Sequence, residues 1–198
     1  MNYLNKLPDT LQDALVCGFL YSDFLQTFIG FFRIRKNVKL RKAKQFTSIF
    51  QLKNTQVNYT LADQPYKELI VSILLKLEPV QYPPFFTIVS ELDEYNEICF
   101  IMRGIIDIGF EINRKQKFVI KKEKGCVIGA FGISYHKRSR YIYRTNKHYA
   151  QGYFVRKEDW LDILQKNTTL VHNLLQNILF DYIMNIRVKA QYGRKKLL

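Results

Sequence analysis

The residues best suited to chemistry lie in one stretch, GCVIGAFGISYHKRSRYIYRT, from Gly125 to Thr145. Gly125 and Gly129 allow tight turns and close backbone approach, and Lys137, Arg138 and Ser139 then bring cations and a hydroxyl to the opening of a β-like run. Such a set suits an anion. Backbone N–H groups at the start of a short helix point at it, and a guanidinium adds forked, charge-assisted hydrogen bonds. Ala130 stands directly after the second glycine, where a polar residue would extend the contact. Bond-breaking chemistry is not expected. His136, His148 and His172 are isolated, with no His-x-His pair for a metal, and neither a Ser/His/Asp constellation nor a G-x-x-x-x-G-K loop occurs. Cys17, Cys99 and Cys126 are odd in number, widely spaced and set among apolar neighbours. They predict neither a disulfide framework nor a CxxC metal site, and they fit a reducing, cytosolic setting.

Charge adds a second theme. Thirty-one Lys and Arg against 17 Asp and Glu leave a net +14, which attracts nucleic acid, an anionic membrane face or acidic protein. One run holds Arg33, Arg35, Lys36, Lys39, Arg41, Lys42 and Lys44, and a second holds Arg187, Lys189, Arg194, Lys195 and Lys196. Each can also be no more than a solvated face. The opening residues carry no signal-peptide or transit-peptide pattern. The most apolar segment, Leu11 to Phe32, contains Asp13 and Asp23, each costing about 2.5–3.5 kcal/mol near a bilayer centre, and reads as amphipathic helix.

The elements that must position the glycine-rich stretch follow from periodicity. With 198 residues, 47% hydrophobic and 15% aromatic, the chain can bury one core plus a smaller appendage. Pro8 before Leu11, Ala14 and Leu15 marks a helix start, and a second helical segment covers Asp23 to Phe32. The basic run and a polar segment from Lys53 to Gln64 read as an exposed connector. Tyr66, Leu69, Ile70, Ile73, Leu74 and Leu77 form one helical face, ended at Glu78-Pro79. Short strands are then predicted at 80–82, 87–89, 98–102, 105–112, 118–121, 127–128, 140–143 and 152–155, with turns at Gly104 and at Asn113-Arg114-Lys115. A helix from about Asp159 through Leu164 and a longer one beginning at Thr168 or Thr169 close the order, the second carrying Val171, Leu174, Leu175, Ile178, Leu179, Tyr182 and Ile186 on one side. The fold class is therefore α+β, a β-roll or jelly roll of about eight strands flanked by helices.

This order, with particular residues, resembles the cyclic-nucleotide-binding domain and preceding C-linker helices of voltage-gated and cyclic-nucleotide-gated cation channels. The stretch KLEPVQYPPFFTIVSELDEYNEICFIMRG, Lys76 to Gly104, is similar without gaps to the family's opening strands, with Phe100, Ile101 and Gly104 as its "FI..G" signature. Leu7-Pro8 with Leu11, and Phe31-Phe32, resemble the end of the linker, and the basic insertion comes next. The abundance of Lys, Asn and Tyr is similar to divergent potassium-channel relatives of ciliates. The resemblance implies a C-linker-like segment over 1–60 and a roll with its closing helices over 61–198. It also implies that Gly125 to Thr145 is the phosphate-binding cassette, with Gly129 starting it, Arg138 on a cyclic-nucleotide phosphate, Ser139 adding a hydroxyl, and Tyr182 and Asn185 in the lid helix.

The departures weaken that site. The family's Gly-Glu pair stands as Gly129-Ala130, so the carboxylate for the ribose hydroxyl is missing. Losing one charged hydrogen bond of about 1.5–3 kcal/mol weakens binding about 10- to 150-fold. Phe85 and Leu92 replace turn glycines, which predicts bulkier, altered first loops. Arg138 can equally pair with an acidic neighbour or solvent, and a bulky side chain such as Tyr182 is a candidate to fill the emptied pocket. The reading is a cytoplasmic regulatory or coupling module of a cation (potassium) channel, without cofactor, whose degenerate pocket binds cAMP or cGMP weakly or not at all. A working cyclic-nucleotide sensor is the alternative. Implied partners are the transmembrane pore portion of the same or a related chain in a homotetramer, and an anionic lipid surface. A basic nucleic-acid-binding protein is a further alternative, disfavoured because too few residues come after Tyr182 for a helix-turn-helix.

Overall fold

Short apolar runs between Glu78 and Arg156 pair into two four-stranded antiparallel sheets in a computed structural model that describes residues 8, 11, 14–41 and 52–195. The strands are β3 (Glu78–Tyr82), β4 (Thr87–Val89), β5 (Glu97–Arg103), β6 (Ile106–Ile112), β7 (Lys115–Lys122), β8 (Cys126–Ile128), β9 (Ile142–Thr145) and β10 (Ala150–Arg156). One sheet has the order β3-β10-β5-β8 and the other β4-β9-β6-β7. All eight strands fall where the short runs between turn residues predict them, extended or shifted by a few residues. Asn113 and Arg114 both take positive φ, the geometry that lets a two-residue turn match the twist of β6 and β7.

Two strands precede the roll. β1 (Arg35–Arg41) and β2 (Leu52–Asn58) pair antiparallel, from Arg35 opposite Asn58 to Arg41 opposite Leu52. This corrects the expectation of an exposed connector. The β-branched Thr55 and Val57 and alternating Val38 and Leu40 suit extended backbone, a pattern that polarity obscures in the sequence. Lys42 and Lys44 lie outside the described residues.

Helices cover the outer face of the first sheet. A wide π-helical turn, Val16–Leu20, leads to α1 (Ser22–Thr27) and α2 (Ile29–Phe32), which break from one another at Phe28. Phe24, Phe28, Phe31 and Phe32 all pack on Phe100 of β5, with ring centroids 5.2, 5.2, 5.5 and 6.0 Å away. Phe100 is fully buried, and each such ring contributes on the order of 2–3 kcal/mol by leaving water. α3 (Gln64–Leu74) buries Leu69, Ile70, Ile73 and Leu74. It stops short of Leu77, because Pro79 holds Glu78 extended and β3 begins there.

The chain closes with α4 (Ala130–Ser134) after β8, then α5 (Lys157–Lys166), α6 (Thr168–Tyr182), a second π-helical turn at Ile183–Arg187, and α7 (Val188–Lys195). Leu170, Leu174, Ile178, Tyr182, Ile186 and Ala190 are buried at strict four-residue intervals. In a regular α-helix each such step drifts about 40° around the axis, and one extra residue in a turn takes back about 100°. The π turn therefore keeps Ile186 and Ala190 on the core side.

Candidate functional site

Gly129, at φ +89, sets the backbone that starts α4, and Ala130 is buried at its first position. Around this turn the cradle is filled from within. The ring of Tyr95 lies over α4 so closely that a Cβ added to Gly132 would fall 2.1 Å from its Cδ2. From the other side Tyr182 of α6 stacks on Phe131, centroids 3.9 Å apart and planes 4° from parallel. A cavity of about 20 Å³ remains, lined by Tyr95, Gly129, Ala130, Phe131, Tyr143, Asp181 and Tyr182 among others. α4 is latched to the closing helices, since Tyr135 Oη donates to the Leu175 carbonyl at 2.9 Å and Trp160 Nε1 to Ser134 Oγ at 2.9 Å.

Ser139 is 1% exposed and its polar groups are all engaged. Its Oγ accepts from Tyr95 Oη at 2.8 Å and donates to the Tyr141 carbonyl at 2.6 Å. Its backbone N–H donates to the Asp93 carbonyl at 2.9 Å, and its carbonyl accepts from Leu92 N–H at 2.8 Å. Tyr143 lines the same small cavity as Tyr95, and the ring of Tyr141 lies beside that of Tyr182, centroids 6.4 Å apart. Burial pushes the Tyr95 and Tyr141 hydroxyls up to about 12 and that of Tyr143 well above the usual tyrosine range, so this cluster is neutral and bonded to itself.

Arg138 does not line that cavity. It is exposed and reaches Glu94 Oε1 at 3.2 Å, bordering a separate hollow of about 260 Å³ with Gly132, His136, Lys137 and Lys157. The structure thus brings Gly129, Ala130 and Tyr182 together, turns Ser139 inward against its own neighbours, and sets Arg138 apart on the outer surface. Asn185 donates through Nδ2 to Asp181 Oδ1 one turn earlier. Arg33 and Arg35 are exposed, and their backbone carbonyls accept from Asn177 Nδ2 and Asn173 Nδ2 of α6. Lys36, Lys39 and Arg41 lie in β1. Sequence reasoning missed Tyr95, Phe131, Gly132 and Tyr143, the groups that fill the cradle. Tyr95 lies in a turn 34 residues before Gly129, and no local spacing links the two.

Phe85 and Leu92 take positive φ, 56° and 69°, the backbone region that favours glycine. Among the described residues no three His, Cys, Asp or Glu side chains gather as a metal site, and no helix is long and apolar enough to cross a membrane.

This is an α+β architecture, a β-roll of two four-stranded antiparallel sheets with flanking helices. A solved structure similar to it is the regulatory subunit of a cAMP-independent protein kinase A from Trypanosoma cruzi bound to guanosine, with a TM-score of 0.50 at 14% identity. The match covers 66% of this chain and 43% of that one, so this chain spans less than half the length of the subunit. No family model and no curated protein matches the chain.

Proposed function

We propose that the protein is a regulatory or coupling module of a cation (potassium) channel, in which the chain's own aromatic side chains occupy the cyclic-nucleotide cassette. One observation carries the reading of the pocket: Tyr95 and Tyr182 close on α4 until about 20 Å³ is left. Sites for drug-sized ligands occupy about 300–1,000 Å³. The missing carboxylate at Ala130 and the outward Arg138 support the same reading. Coupling arises from the packing. α6 touches both the cassette, through Tyr182, and the segment before β1, through Asn173 and Asn177. A shift of α6 over the roll then biases the helices that lead, in this reading, to the transmembrane pore portion of the same or a related chain in a homotetramer. The basic run supports a place at the cytoplasmic face of the membrane, against anionic lipid. No catalysis is assigned.

Titration of the full chain with cAMP, cGMP and guanosine, monitored by calorimetry, tests the pocket. Guanosine is included because the solved relative was seen with it. No saturable heat is expected for any of the three below millimolar concentrations. Tight cAMP or cGMP binding that Arg138→Ala abolishes would overturn this reading in favour of a working sensor.

A further inference from the structure

A further cavity, of about 280 Å³, lies between the loop before β5, the end of β6 and the closing helices, lined by the end of the Gly125–Thr145 stretch and the start of the C-terminal basic run but by neither Gly129, Arg138 nor the first basic run. Two arginines from separate segments line it: Arg140, just before β9, and Arg187, the last residue of the π turn. Both are exposed, and among the described residues neither forms an ion pair with a carboxylate. Glu91 also borders the cavity, but its Oε2 accepts the Glu111 backbone N–H at 2.9 Å. Leu92, Phe110 and Tyr141 supply an apolar wall.

Two like charges held around one hollow repel each other, and the single Glu91 carboxylate offsets only one of them, so the hollow keeps a net positive charge that an added anion would balance. The backbone departs from regular geometry on both sides of this arrangement. The π turn rotates the chain beyond Tyr182 and so sets the direction of Arg187, and such turns are frequent at functional positions. Leu92 on the opposite wall is held at φ +69. Forked guanidinium donors in pairs match the oxygens of a phosphate, and the apolar wall suits a ring attached to it.

We propose that the cavity between Arg140 and Arg187 is an oxyanion site that takes a phosphate monoester carrying an apolar or aromatic group. Its occupant would bridge the start of β9 to the π turn. Since Tyr182 lies immediately before that turn and its ring packs beside that of Tyr141, centroids 6.4 Å apart, binding here holds Tyr182 in the cassette. The site is separate from the filled cradle at Gly129, and binding there does not depend on whether that cradle takes a nucleotide.

The test uses the full chain at low ionic strength, with inorganic phosphate and phenyl phosphate as soluble probes. Phosphatidylcholine vesicles containing phosphatidylinositol 4-phosphate form a third arm, because a lipid headgroup offers the same chemistry. Saturable binding is expected, tighter for phenyl phosphate than for phosphate. Arg140→Gln and Arg187→Gln should each weaken it about tenfold or more, while Arg138→Gln leaves it unchanged. Arg187→Lys keeps the charge without the fork and should fall between wild type and Arg187→Gln. Melting curves without ligand identify any variant that has lost its fold, and the arginine Nε resonances of the wild type, shifting at two side chains on titration, read the site without a substitution. Binding confined to the vesicles, with the same dependence on Arg140 and Arg187, identifies the source as a lipid headgroup. Absence of binding in all three arms overturns the proposal, as does an equal loss in Arg138→Gln, which would show diffuse attraction to a basic surface.

Discussion

Leu92 takes a backbone conformation that costs a bulky side chain about 1–2 kcal/mol, and its side chain, 69% exposed, recovers little of that by packing. It is held there by the pair of hydrogen bonds tying the loop to the Ser139 backbone. Glycine relieves the strain but adds freedom to the unfolded chain, which takes back about 0.5–1 kcal/mol. Leu92→Gly should therefore stabilise the fold by about 0.5 kcal/mol, read as a raised urea midpoint with an unchanged slope. A fall in the midpoint would mean that the exposed leucine packs in solution. The same position explains a limit of reading loops from composition: bulky residues at 85 and 92 do not suggest positive φ, yet both take it, with Leu92 N–H and Phe85 N–H bonded to the Ser139 and Asn146 carbonyls. Tertiary hydrogen bonds decided the backbone and the side chains accommodated it.

At the scale of elements, Phe100 is the point where α1 and α2 meet the first sheet. Phe100→Ala removes the ring on which four phenylalanines close, so a loss of about 3–5 kcal/mol is expected. Denaturant unfolding measures the total. Amide exchange should rise first in Ser22–Thr27, and uniform acceleration across the roll instead would mean that the helices are not separately held. Most of the elements are legible in the sequence, because the strands of the roll are short apolar runs bounded by turn residues and α3 carries one apolar stripe. The β1–β2 pair is not, since the two apolar residues that alternate in β1 are set among five polar or charged ones and only the pairing defines it. Of the site, the glycine-started turn at 129 is legible and its filling is not. Tyr182 reaches the cassette from α6 and Tyr95 from a distant turn, and contacts of that kind leave no mark at fixed spacing.

For the whole molecule, the net charge of +14 sets the longest-ranged interaction. Arg33 and Arg35 are exposed at the edge of β1, where each contributes about 1 kcal/mol if held near an anionic leaflet. Arg33→Gln with Arg35→Gln should weaken co-sedimentation with phosphatidylserine vesicles about 10- to 30-fold at low salt, and binding of the wild type should fall steeply as salt shortens the screening length. Salt-independent sedimentation, or equal binding to duplex DNA and vesicles, would redirect attention to another partner. Asn173 and Asn177 give the same region a mechanical character. They fasten the carbonyls of Arg35 and Arg33 to α6, while Phe24 and Phe28 fasten the preceding helices to β5. The segment ahead of the roll is thus stapled at two places to parts that are far apart along the chain, forming a closed linkage. A pull applied ahead of α1 is shared between sheet and closing helix, and neither can slip without loading the other.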